Sequence, residues 1–301
     1  MRPRLIILVR HGQSEANVDI SIHRTVPDHK IKLTEVGVEQ AIEAGEYLNK
    51  FLKPEDTVQF YVSPYLRARQ TFEHMSKALD KGRWRYCEEP RLREQDWGNF
   101  QGPPKEMARI KTERATYGHF FYRIPNGESG ADVYDRISTF QETLHRAFAS
   151  PNFPSVLVIV THGLLSRLFV MRWFHWSVEE FESLQNLRCC EFVIMEKNEE
   201  TNKYKLKTKF RRWGNIESLG RFDDEDDEGN NKYLTPNGKR FLNGHSRSYS
   251  AEMGGEFSSE DVMGDASESD ERSVNSSSIS INEEVESKTE EINVTKKSES
   301  V

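Results

Sequence analysis

Residues 5–12 read Leu5-Ile6-Ile7-Leu8-Val9-Arg10-His11-Gly12, and this stretch decides the fold. Five apolar residues run without a polar alternate, then stop at a cation, an imidazole and a glycine. A strand that is apolar on both faces is buried between two layers, as in a parallel sheet covered by helices. Residues 156–163, VLVIVTHG, repeat the device, ending in Thr161-His162-Gly163. In a parallel α/β sheet, ligands bind beyond the carboxyl ends of the strands. Two such ends would set His11 and His162 facing one another across one crevice, with Arg10 beside them. A glycine after each histidine permits a tight turn and close approach of backbone to a ligand. The helix expected after His162 would offer its free N–H groups to an anion.

Working outward, further strands are expected at Val58–Val62, Trp84–Cys87, Glu191–Met195 and, more weakly, Tyr204–Thr208. Helical patterns separate them. Thr34 is a candidate N-cap for a helix to about Leu52, with Val38, Ile42, Tyr47, Leu48 and Phe51 as its apolar stripe and Pro54 beyond its end. Others run from about Leu66 to Leu79, Pro103 to Tyr117, Ala131 to Ala149 and Gly163 to Phe174. Strands alternating with helices predict an α/β fold, a three-layer sandwich with a mostly parallel central sheet flanked by helices.

Charge divides the 301 residues unevenly. Nine Lys/Arg against 20 Asp/Glu from Arg221 to Val301 give that segment −11, which leaves +4 for residues 1–220 within a chain of −7 overall. The expected domains are therefore 1–215, a folded and mildly basic unit, and 216–301, an acidic Ser-rich tail too poor in apolar residues to order. A mildly basic unit suits small anionic substrates and lacks the dense basic stripe of a nucleic-acid binder. The apolar run after Arg2 and Arg4 is too short for a signal peptide, and no stretch approaches a membrane span. Cys87, Cys189 and Cys190 suit neither a disulfide framework nor a zinc site. These features together lead to an expectation of a soluble, reducing compartment, the cytoplasm and also the nucleus.

A third chemical feature is SPYLRARQT, residues 63–71, which follows a strand and opens a helix. Arg67 and Arg69 are two apart and cannot share a helix face, so at most one of them points into the crevice, the alternative being two solvated arginines on a helix. A guanidinium fork matches phosphate oxygens in bidentate fashion.

At this point the residues resemble a family. LVRHGQSEAN (8–17) resembles the Arg-His-Gly signature of the histidine phosphatase superfamily, phosphoglycerate-mutase-like branch. LTEVGVEQA (33–41), SPYLRARQT, RLREQDWGNFQG (91–102), IPNGES (124–129) and VIVTHG (158–163) resemble its later elements, in the family's order, across residues 4–195. The nearest subgroup is the fungal and plant phosphoglycerate-mutase-like proteins, which include a yeast broad-range acid phosphatase. The resemblance selects Arg67 over Arg69. It implies His11 as nucleophile forming a phosphohistidine, Arg10, Arg67 and His162 as a clamp on the phosphoryl oxygens, and Glu94 as general acid and then base. Ser14, Asn17 and the Gly163 N–H would line the phosphate pocket. Two arginines and a protonable histidine would supply countercharge with no metal and no cofactor.

The function expected is a phosphomonoesterase with an acid optimum, acting on a phosphorylated small molecule. A phosphoglycerate mutase and a non-catalytic binder of phosphorylated ligands are the alternatives. IPNGES leans towards the mutases, whereas the short spacing from Glu94 to Gly127 and the acidic C-terminal segment lean away. A fructose-bisphosphatase role would need a richer basic pocket than the sequence displays. His23, His29, His74, His119, His145, His175 and His245 are read as structural or surface residues. WGNFQG and HFFYRIP either wall the pocket or pack inserted helices. Ser267–Glu271 and Arg247–Ser250 offer short kinase-like patterns for regulatory partners.

Overall fold

The structure, a computed structural model, describes residues 2–213 together with the backbone of 232–234 and 240–242. The elements run β1 (Leu5–Arg10), α1 (Glu15–Val18), α2 (Glu35–Phe51), β2 (Val58–Val62), α3 (Leu66–Ser76), β3 (Trp84–Glu88), α4 (Pro104–Tyr117) and α5 (Gly130–Phe148). Then follow β4 (Val156–Thr161), α6 (Gly163–Phe174), α7 (Val178–Glu182), β5 (Phe192–Lys197) and β6 (Tyr204–Leu206). Six strands form one sheet in the order β3-β2-β4-β1-β5-β6. β3, β2, β4 and β1 are mutually parallel, and β5 runs antiparallel to both β1 and β6. The expected α/β sandwich with a mostly parallel sheet is what forms.

β1 and β4 lie side by side at the centre, in register from Leu5↔Val156 to Arg10↔Thr161, and every residue of both is buried. Their alternate side chains feed two cores. Leu5, Ile7, Val9, Val156, Val158 and Val160 face α2 and α3. Ile6, Leu8, Leu157 and Ile159 face α5, α6 and α7. Unbroken apolar runs are thus required, because neither face of these strands meets water.

The stripe read on α2 differs in detail. Ile42 is 42% exposed, and the buried face is Gly37, Gln40, Ala41, Ala44, Gly45 and Leu48. Small residues win because α3 lies against the helix backbone: a Cβ on Gly45 would overlap the backbone of Met75. α2 begins as expected, with the Thr34 hydroxyl accepting from the Gly37 N–H at 3.0 Å.

Within the segment read as a tail, Lys232–Leu234 pairs antiparallel with Arg240–Leu242. The rest of 214–301, including the kinase-like patterns and His245, lies outside the described residues. No helix among the described residues is long and apolar enough to cross a membrane.

Candidate active site

Each of the four parallel strands delivers part of one site at its carboxyl end. The His11 N–H donates to the Thr161 carbonyl at 2.9 Å, and the Ser63 N–H donates to the Val160 carbonyl at 2.9 Å, so the ends of β1, β4 and β2 are level. The chain leaving β3 turns through Pro90–Leu92, where the Leu92 carbonyl accepts from the Thr161 hydroxyl at 2.9 Å. That bond brings Glu94 over the strand ends.

His11 is 4% exposed. Its Nδ1 lies 2.7 Å from the Gly12 carbonyl, which can only accept, so Nδ1 carries the proton and Nε2 keeps its lone pair. Arg67 Nε donates to that Nε2 at 3.3 Å. Burial, reinforced by the Arg67 and Arg10 guanidinium groups, holds the His11 pKa well below the usual imidazole range. His11 is therefore a neutral, oriented nitrogen base.

His162 is fully buried, its ring 5.2 Å from that of His11 and edge-on to it. Ser63 Oγ lies 2.8 Å from His162 Nε2 and accepts the Tyr65 N–H at 3.4 Å. When the hydroxyl donates to Nε2, the imidazole N–H is at Nδ1. Nδ1 has no hydrogen-bond partner among the described residues. Leaving such a donor unsatisfied costs about 1–3 kcal/mol, which an incoming oxygen ligand would relieve. Burial, then the Arg67 charge, depresses the His162 pKa well below normal. That direction favours the neutral ring.

Of the expected residues, Arg10, His11, Ser14, Asn17, Arg67 and Glu94 share the wall of one crevice. Arg67 is buried and lines the crevice, whereas Arg69 is exposed and faces Glu88 at 3.5 Å. Arg10 Nη1 donates to the Leu187 carbonyl. Asn17 Oδ1 accepts from both the N–H and the hydroxyl of Ser14, at 2.9 Å each, and caps α1. Burial raises the Glu94 pKa above the usual carboxylate range, against the opposing pull of the Gln95 N–H and of Arg67 and Arg10.

His162 and Gly163 are buried beside His11 at the end of β4. The glycines prove to be packing residues as much as turn residues. Neither Gly12 nor Gly163 has a positive φ. A Cβ on Gly12 would sit 2.5 Å from the Gly37 carbonyl oxygen, and one on Gly163 would overlap the Asn186 amide.

Several wall residues escaped the sequence reading. His23, read as structural or surface, lines the crevice with Nδ1 3.6 Å from Asp28 Oδ1. Asp28 holds Arg67 by a two-point ion pair. Lys111, Arg114 and Arg167 also line the crevice, so the basic pocket is richer than expected. Arg114 lies over the Trp97 ring at 5.2 Å and donates to Gln95 Oε1 at 3.2 Å. Lys111 and Arg114 carried no signal, because one cation on a polar helix reads like any other until the helix is placed, whereas Arg167 within the apolar run of α6 was a visible one.

The two aromatic segments divide their roles. Trp97, Gly98, Asn99 and Gln101 wall the crevice. Phe120 packs into the core against Phe181, with centroids 5.9 Å apart. IPNGES is a brace. Glu128 pairs with Arg93 at 2.6 Å and with Arg136 at 3.0 Å, and Arg136 donates to the backbone carbonyls of Arg91 and Glu94. Among the described residues, no group of three or more His, Cys, Asp or Glu side chains could hold a metal ion.

A sequence model of the histidine phosphatase superfamily (branch 1) matches residues 6–208. The chain belongs to the histidine phosphatase superfamily. Within it, the Arabidopsis thaliana phosphoglycerate mutase-like protein AT74 is 47% identical over 206 residues, 64% of this chain and 65% of that protein's length. The Saccharomyces cerevisiae broad-range acid phosphatase DET1 is 33% identical over 308 aligned positions, covering 72% of this chain and 92% of DET1. The solved mycobacterial glucosyl-3-phosphoglycerate phosphatase superposes with a TM-score of 0.55 at 20% identity, over 70% of this chain and 100% of its own. That likeness shows a shared fold. The superfamily contains phosphatases and mutases.

Proposed function

We propose that this protein is a phosphomonoesterase working through a phosphohistidine at His11. The observation that carries this reading is the state of His11: Nδ1 is tied to a carbonyl and Nε2 is left as a lone pair beside Arg67. In the first step Nε2 attacks phosphorus, the bond to the leaving oxygen breaks, and Glu94 gives that oxygen its proton. In the second, Glu94 takes a proton from water as the water oxygen attacks phosphorus and the P–N bond breaks. Inorganic phosphate leaves and His11 is restored. Arg10, Arg67 and the His162 N–H would face charge spread over the equatorial oxygens, which is where phosphoryl transfer needs stabilisation. The raised Glu94 pKa suits an acid, and the depressed His11 pKa suits a nucleophile that must be neutral.

Lys111 and Arg114 on α4 favour a leaving group that itself carries negative charge. The broad-range acid phosphatase activity in the name of DET1 supports hydrolysis over phosphoryl return. The test is hydrolysis of para-nitrophenyl phosphate across pH, beside a coupled assay for interconversion of 3- and 2-phosphoglycerate. Hydrolysis should dominate and should vanish in His11→Ala. Retained turnover in that variant, or faster mutase than hydrolase activity, would overturn the reading.

A further inference from the structure

We infer that Asp28 is a built-in competitor for the phosphate that Arg67 receives, a positioning residue that keeps the site from holding its product. The inference rests on the phosphatase reading above. Arg67 is buried, and its fork is already engaged. Nη1 donates to the Asp28 carbonyl and to Oδ1 at 2.8 Å each, and Nη2 donates to Oδ2 at 3.3 Å. With Nε directed to His11 Nε2, four of the five guanidinium hydrogens have partners within the protein. The carboxylate therefore occupies the two-point geometry that a phosphate dianion would take.

The placement of Asp28 suits exchange. It opens a single 3₁₀ turn, Asp28–Lys30, after Pro27, and its side chain is 27% exposed, whereas that of Arg67 is 6% exposed. The cation is fixed and its anion stands at the edge. A phosphoryl group entering the crevice must share Arg67 with a negative neighbour or displace it. Either route weakens ground-state binding of every phosphate species, substrate and product alike, through like-charge repulsion. Because uniform binding does not speed the chemical step, weakening it costs little at saturating substrate and hastens release.

The test uses the full chain with inorganic phosphate as probe. Asp28→Asn keeps an oxygen acceptor for Nη1 and removes the charge. Asp28→Ser, a smaller neutral residue, is the second variant. Phosphate affinity is read by calorimetry and as the inhibition constant against para-nitrophenyl phosphate, with melting temperature as a control for folding. The dissociation constant for phosphate should fall on the order of tenfold in each folded variant, and KM should fall with it. An unchanged or weaker phosphate affinity overturns the inference, since a bracing role for Asp28 would loosen Arg67 and weaken binding. Direct binding separates the two readings. Tighter phosphate binding without any hydrolysis by the wild-type chain would support the competitor and sink the phosphatase.

Discussion

Ser63 Oγ sits 2.8 Å from His162 Nε2, at the point where β2 ends and α3 begins. The hydroxyl also accepts the Tyr65 N–H. As a donor to Nε2 it would hold the imidazole N–H at Nδ1.

Replacing Ser63 with Ala should free that choice. The expected result is a fall in kcat/KM of about 10-fold or more, the size of a lost oriented donor, with little change in melting temperature. Ser63→Thr, which keeps the hydroxyl, should recover part of it. Steady-state kinetics of the two variants against para-nitrophenyl phosphate measure this.

The pH profile follows from the two displaced titrations. His11 must be neutral, and its pKa is pushed down, so the acid limb of kcat/KM should fall below the ordinary imidazole range. Glu94 must be protonated, and its pKa is pushed up, so the alkaline limb should lie above the ordinary carboxylate range. Activity between those limbs gives an acid optimum. Glu94→Gln should abolish the alkaline limb together with most of the rate for poor leaving groups, and spare activated aryl phosphates more. A flat profile in the wild type would count against Glu94 as the acid.

Arg136 carries the Glu94 loop without sharing the crevice wall. Its guanidinium binds the Arg91 and Glu94 carbonyls and pairs with Glu128 at 3.0 Å. Arg136→Gln should lower kcat by roughly 10- to 100-fold, the order expected for a misplaced reacting group, with a smaller change in KM. Glu128→Gln should act in the same direction and more weakly. Equal effects on kcat and on phosphate affinity would point to general collapse of the pocket instead.

At the opposite end of the strands, Asp56 is 2% exposed and anchors the edge of the fold. Burial opposes its ionisation, but Arg4, the Lys53 N–H and the Ser155 hydroxyl outweigh it and hold the pKa down to about 2. The folded value lies below the unfolded one, so the stabilisation is complete above about pH 4 and is lost as pH falls towards 2. It amounts to about 2 kcal/mol. Asp56→Asn should lower the melting temperature at neutral pH and flatten its decline through that acid window.

How much of this was legible in the chain differs by element. Leu5–Val9 and Val156–Val160 announce central strands because unbroken apolar runs fit only a doubly covered sheet. Their shared ending placed His11 and His162 at one edge, and the buried Arg67 stands where the motif had it. α2 was found, and Leu48, Tyr47 and Phe51 of its stripe do pack on the core, but Ile42 is exposed and the small residues Gly37, Ala41 and Gly45 are buried where α3 and the loop after β1 come close. The crevice wall was half legible. Residues near the strand ends were found, whereas His23, Asp28, Lys111 and Arg114 come from loops and a helix whose approach is set by packing.

The sequence by itself determined the α/β class, the two histidines at matching strand ends, and the arginine and carboxylate that accompany them. These follow from local pattern, and local pattern is set by the short-range physics of burial and hydrogen bonding. Tertiary structure alone decided the protonation geometry. The Gly12 carbonyl leaves His11 Nε2 unprotonated and facing Arg67 Nε, Ser63 meets His162 at Nε2, and burial moves Glu94 and both imidazoles in opposite directions. It alone also placed Asp28 on Arg67, 39 residues away in the chain. Titration and ion pairing depend on distance and dielectric in three dimensions, and neither is written in the order of residues.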